Sequence, residues 1–90
     1  MMGLGPIGTI LETKLRSAFS PVLLNVIDES HHHEGHAGSH PEGESHFRVK
    51  IAAEVFRGMT RVQQHRQVNA VLADELKSRV HALAIETMLP

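Results

Sequence analysis

Residues 46–56 read HFRVKIAAEVF, and their alternation decides the fold class. Phe47, Val49, Ile51, Ala53 and Val55 fall on one side, with His46, Arg48, Lys50 and Glu54 on the other, the period-two pattern of a strand with one buried face. Upstream, Val22–Asp28 (VLLNVID) is an apolar run of strand length rich in branched side chains. Downstream, Val80–Met88 (VHALAIETM) predicts a third strand with Leu83, Ile85 and Thr87 on one face.

Two helical patterns frame these strands. From Thr9, the residues Leu11, Leu15, Ala18 and Phe19, with Ile7 before them, recur at intervals of three and four. Thr9 and Glu12 match a capping box, and Ser20-Pro21 ends the helix. Gly58 breaks the second strand, and Thr60 with Gln63 predicts another capping box opening a helix to about Lys77, its stripe formed by His65, Val68, Asn69, Leu72 and Leu76. The expected order is α-β-β-α-β. It makes an α+β fold, a two-layer sandwich with a three-stranded mixed sheet and its helices on one face, in a single domain over residues 1–90.

Between the first two strands lies ESHHHEGHAGSHPEGES, residues 29–45, where Gly, Ser, Pro, Glu and His exclude every large apolar side chain. This is expected to be a solvated loop, and a connection this long in a small domain tends to be either functional or disordered. It holds His31, His32, His33, His36 and His40, interrupted and internal, unlike a terminal affinity tag.

Composition narrows the chemistry. The chain has no cysteine, which excludes disulfides, a thiol nucleophile and any metal site built wholly from its own thiolates. Metal ligation would therefore rest on imidazoles or on a partner. The formal net charge of -1 gives no broad basic field for phosphate, and no stretch reaches the roughly 18 to 20 apolar residues of a membrane span. Residues 1–8 (MMGLGPIG) lack the cationic start and long apolar core of a leader and the Arg/Ser-rich pattern of a transit peptide, so a bacterial cytoplasmic location is expected. No Ser/His/Asp arrangement, Walker-type loop or H-E-x-x-H helix is present, and a non-enzymatic role is expected.

Several blocks occur together and in order: Asp28-Glu29-Ser30 before the His/Gly loop, Gly43-Glu44-Ser45-His46-Phe47-Arg48-Val49, Phe56-Arg57-Gly58, Gln64-His65-Arg66 and Val80-His81-Ala82-Leu83. In this the chain resembles the BolA family over roughly residues 11–90. The resemblance implies a class II KH-like fold, matching the element order above. It further implies an adaptor, monomeric or weakly dimeric alone, that pairs with a monothiol glutaredoxin and shares a [2Fe-2S] cluster which the isolated chain does not hold. His81 is the implied ligand from the third strand. For the loop ligand, spacing after Asp28-Glu29-Ser30 favours His33 and the Gly35-His36-Ala37 tripeptide favours His36; both stay open.

An alternative implied by bacterial members is a DNA-binding regulator of stress response, cell shape and biofilm growth. Here Lys50, Arg57, Arg61 and Arg66, around the second strand and second helix, would contact duplex phosphates. Two departures stand out: Gln64 occupies a position where the family often has Arg, and the loop offers five histidines where one His or Cys is common. The GxxG clamp of RNA-binding KH domains is absent, since Gly58-Met59-Thr60-Arg61 supplies only its first glycine. His65 on the helical stripe is expected to be a hydrogen-bonded histidine at the core edge, and His46 either supports the loop or faces water.

Overall fold

The computed structural model describes residues 4–30 and 44–90. The chain forms α1 (Pro6–Phe19), β1 (Leu23–Asp28), β2 (His46–Ala52), α2 (Arg61–Val71), α3 (Ala73–Ser78) and β3 (Ala82–Met88). β2 is central, antiparallel to β1 and parallel to β3. This is the expected three-stranded mixed sheet in α-β-β-α-β order, with the second helix divided.

Helix α1 starts earlier than its predicted capping box. Gly5 is the N-cap and Pro6 the first helical residue, and no side chain within the helix caps it. A proline fits there because its fixed φ is helical and the missing N–H has no partner to lose. Leu11, Leu15 and Phe19 are buried as the periodicity predicts, whereas Ala18 is exposed. Ser20, in the left-handed region at φ 45°, closes the helix by donating its N–H to the Arg16 carbonyl at 3.0 Å.

β2 is shorter than its alternation suggested. Ladder pairing with β1 ends at Leu23 opposite Ala52; Val22 still donates its N–H to the Ala52 carbonyl at 2.9 Å, and Pro21 before it has no N–H to extend the ladder. The chain then turns through a single 3-10 turn, Glu54–Phe56, which carries Phe56 into the core and leaves Val55 47% exposed. Val55 therefore does not continue the apolar face of the strand. β1 likewise begins at Leu23 rather than Val22, and β3 at Ala82 rather than Val80, although Val80 is itself buried.

The Thr60 box is present as expected: Thr60 Oγ1 accepts from Gln63 N–H at 3.1 Å and Gln63 Oε1 from Thr60 N–H at 2.8 Å. The long predicted helix breaks at Leu72, whose φ of -101° and ψ of 16° interrupt it while its side chain is fully buried. Val68 and Leu72 carry the buried stripe; Asn69 is exposed and His65 half-buried. Between helices and sheet, Leu11, Leu15, Phe19, Leu24, Val26, Phe47, Val49, Ile51, Phe56, Val68 and Leu72 make one core, with the Phe19 and Phe56 rings 5.2 Å apart. Among the described residues the other face of the sheet bears no helix: Leu23, Asn25 and Ile27 of β1 are exposed there, as are Ala82, Glu86 and Met88 of β3.

Candidate functional site at the head of the sheet

The register brings three termini to one end of the sheet: Asp28 opposite Phe47, and His46 opposite Ala82. Ser30, just past β1, is buried, and its hydroxyl oxygen accepts from the Ser45 N–H at 2.8 Å and the His46 N–H at 3.1 Å. Its own N–H donates to Asp28 Oδ1 at 2.9 Å, the local turn that Asp favours two residues ahead. Both stems of the histidine-rich segment are thus joined where it leaves and re-enters the sheet.

Ser45, also buried, extends the join to β3. Its carbonyl accepts from the His81 N–H at 2.7 Å and the Ala82 N–H at 3.2 Å, and its hydroxyl lies 2.9 Å from His46 Nδ1. The His46 and His81 rings stack with centroids 6.1 Å apart and planes inclined by 22°. His81 itself is exposed and immediately precedes β3. One residue before Ser45, Glu44 sends its carboxylate to the N-terminus of α1, where Oε2 accepts from the Gly8 N–H at 2.9 Å.

Beside this end, on the helix-free face, Arg48 bridges Glu29 (2.9 Å) and Glu86 (2.8 Å). Hydrogen bonds to these carboxylates, Glu29 first, raise the guanidinium pKa and hold it charged. The carboxylates in turn leave little net positive potential there.

His81 is the one implied ligand in view. His33 and His36, like His31, His32 and His40, lie outside the described residues. Among the described residues no group of three or more His, Asp or Glu side chains is arranged to enclose a metal ion. His46 as a neighbour of His81 was not legible in the sequence, because it depends on the β2/β3 register; its place at the start of an alternating strand was the only hint.

The cations proposed for nucleic acid are dispersed. Arg57 is tied to Glu54, which raises its pKa and lowers that of the glutamate, each through the hydrogen bond between them. Lys50 faces the helix-free side, opposite Asn25 and Glu86, while Arg61 and Arg66 are on α2. Arg61 and the half-buried His65 line a shallow cavity of about 270 Å³ with Ile85, Glu86, Thr87 and Met88. Gln64, read in the sequence as a lost basic contact, is a structural staple: Nε2 donates to the carbonyls of Phe56 (3.2 Å) and Met59 (3.1 Å), and Oε1 accepts from the Thr87 hydroxyl.

Comparison with known proteins agrees with this architecture. The family model described as "BolA-like protein" matches residues 15–90. The chain belongs to the BolA family. It is 47% identical over 77 residues to the DNA-binding transcriptional regulator BolA of Escherichia coli, covering 86% of this chain and 70% of the relative. It is 44% identical over 87 residues to human BolA-like protein 1, covering 97% of this chain but only 61% of that protein. The solved BolA domain of SufE1 from Arabidopsis thaliana superposes with a TM-score of 0.88 at 40% identity, covering 98% of this chain and 96% of that one. Among the described residues of this BolA-like chain, no helix is long and apolar enough to cross a membrane.

Proposed function

We propose that this BolA-like protein is an adaptor that pairs with a monothiol glutaredoxin and shares a [2Fe-2S] cluster with it, in iron–sulfur assembly or iron regulation. One observation carries the reading: the exposed His81 is anchored by its backbone to Ser45, at the point where both stems of the histidine-rich segment meet. The donor chemistry fits. Neutral imidazole can replace cysteine on one iron of such a cluster, and this chain has no cysteine. His81 would hold the iron with His33 or His36, the partner and its glutathione providing sulfur; when bound, the cluster supplies a transferable iron–sulfur unit.

Within the chain, Ser45 keeps the His81 backbone in place and His46 stacks on its ring, so less orientational freedom is lost on ligation. The experiment mixes the purified protein with cluster-loaded monothiol glutaredoxin and follows visible absorption and circular dichroism. A new spectrum with the native protein, lost in His81→Ala and in one of His33→Ala or His36→Ala, is the expected result. An unchanged spectrum with the native protein, or a full change with His81→Ala, rejects the reading.

A second reading, a duplex-DNA-binding regulator, is favoured by the name of the E. coli relative and by Arg61 and Arg66, which form no ion pair among the described residues. Against it, Arg57 is engaged by Glu54 and Lys50 lies on the other side of the sheet, so the four do not form one phosphate track. Salt-dependent binding to a promoter duplex, lost in Arg66→Ala and kept in His81→Ala, would establish this reading in place of the first.

A further inference from the structure

We infer that Glu44 is a positioning residue for the histidine end of the sheet, and that the N-terminal turn of α1 is built to receive its carboxylate. The inference rests on the proposed reading for what the histidines do, but its geometry stands independently. The first turn of α1 contains no acidic residue, Pro6 has no N–H, and the Thr9 N–H is taken by the Gly5 carbonyl at 2.9 Å. The Gly8 donor is met by Glu44 from 36 positions away, at the positive end of the helix dipole.

Two features show a fitted seat. A Cβ at Gly5 would lie 2.5 Å from the Glu44 carboxyl group, so a side chain at position 5 would push the carboxylate out of its present place. Glu44 also has φ 58°, in the left-handed region that costs a side-chain-bearing residue energy and suits glycine. The carboxylate contact with the Gly8 N–H offsets part of that cost.

The tether acts on the site through one residue. Glu44 precedes Ser45, whose N–H is bound by Ser30, whose carbonyl holds the N–H groups of His81 and Ala82, and whose hydroxyl lies against the His46 ring. Fixing Glu44 therefore fixes the path of Ser45, and with it the anchor of both imidazoles. Gly5 and Gly8, at the start of α1, are the receivers of this tether.

The test uses the full chain with Glu44→Gly, Glu44→Gln and Gly5→Ala. The readout is amide hydrogen exchange at Ser45, His46 and His81, taken relative to Val49 and Ile51 in the same sheet. Glu44→Gly removes the carboxylate while relieving the backbone, and should speed exchange at the three head amides roughly tenfold to a hundredfold relative to the core, the range for losing a hydrogen bond to a charged group. Gly5→Ala should do the same by blocking the seat, and Glu44→Gln, which keeps an acceptor, should recover most of the protection. If Glu44→Gly leaves the relative exchange unchanged, or alters only α1 and overall stability, the inference is overturned.

With cluster-loaded glutaredoxin, Glu44→Gly should give a smaller spectral change at equal concentration than Glu44→Gln. A native protein that gives no cluster spectrum rejects the proposed function, while the exchange ratios still decide the role of Glu44.

Discussion

Helix α1 begins on Gly5 and Pro6 and has its Gly8 donor satisfied by a glutamate beyond β1 and the histidine-rich segment; α2 begins on Thr60, whose hydroxyl and near neighbour Gln63 close a reciprocal cap within four residues. The same need, unpaired N–H groups at a helix start, is met once by tertiary structure and once by local sequence. α2 can form its cap before the rest of the chain has folded. The α1 cap exists only when the sheet does, so it couples the helix start to the site.

The largest expected effect is on what lies beneath α1. Phe47 is buried under its first turn, 3.3 Å from where a Gly8 Cβ would be, and Phe47→Ala should cost about 3–5 kcal/mol in urea unfolding. Next comes the joint that the α1 cap depends on. Ser30→Ala deprives the Ser45 and His46 N–H groups of their acceptor and should cost about 1–3 kcal/mol, with the loss of amide protection centred on residues 45, 46 and 81.

Thr60→Ala should cost about 1 kcal/mol, whereas Thr9→Ala, at an exposed position already inside α1, should be neutral or slightly stabilising by helix propensity. Equal losses for the two variants would remove the contrast. The smallest effect belongs to Lys14, which ties α1 to α3 through Glu75 at 2.9 Å. The hydrogen bond to Glu75 raises its pKa, so its small stabilising contribution is complete at neutral pH, below the lysine value of the unfolded chain. It should fade as the pH climbs through the raised folded value, and a Lys14→Met variant should lose that part of the alkaline titration.

What was legible in the sequence followed the same division. Burial of Phe47, Val49 and Ile51, the Thr60 box and the order of elements all rest on short-range periodicity or on residues a turn apart, and they hold in the structure. The Thr9–Glu12 pattern misled because a cap motif also occurs inside helices, and the true partner of α1 was set by long-range docking. Val55 misled because alternation continues in sequence after pairing with β1 has ended. At the site, His81 was marked by the family blocks, but its approach to His46 depends on the parallel register. Gln64 looked like an absence of charge until the Phe56 and Met59 carbonyls and the Thr87 hydroxyl showed what an amide does there that a guanidinium, a pure donor, cannot.

The bridge from Glu29, the residue after β1, through Arg48 of β2 to Glu86 of β3 runs across one side of the sheet. As a source of stability an exposed pair is minor. Its position has another consequence: sliding any strand by one residue turns its side chains to the opposite surface, which would strand a lone cation or anion in place of the trio. The arrangement thus penalises misaligned pairings during assembly, and does so next to the termini where alignment decides whether His46 and His81 meet.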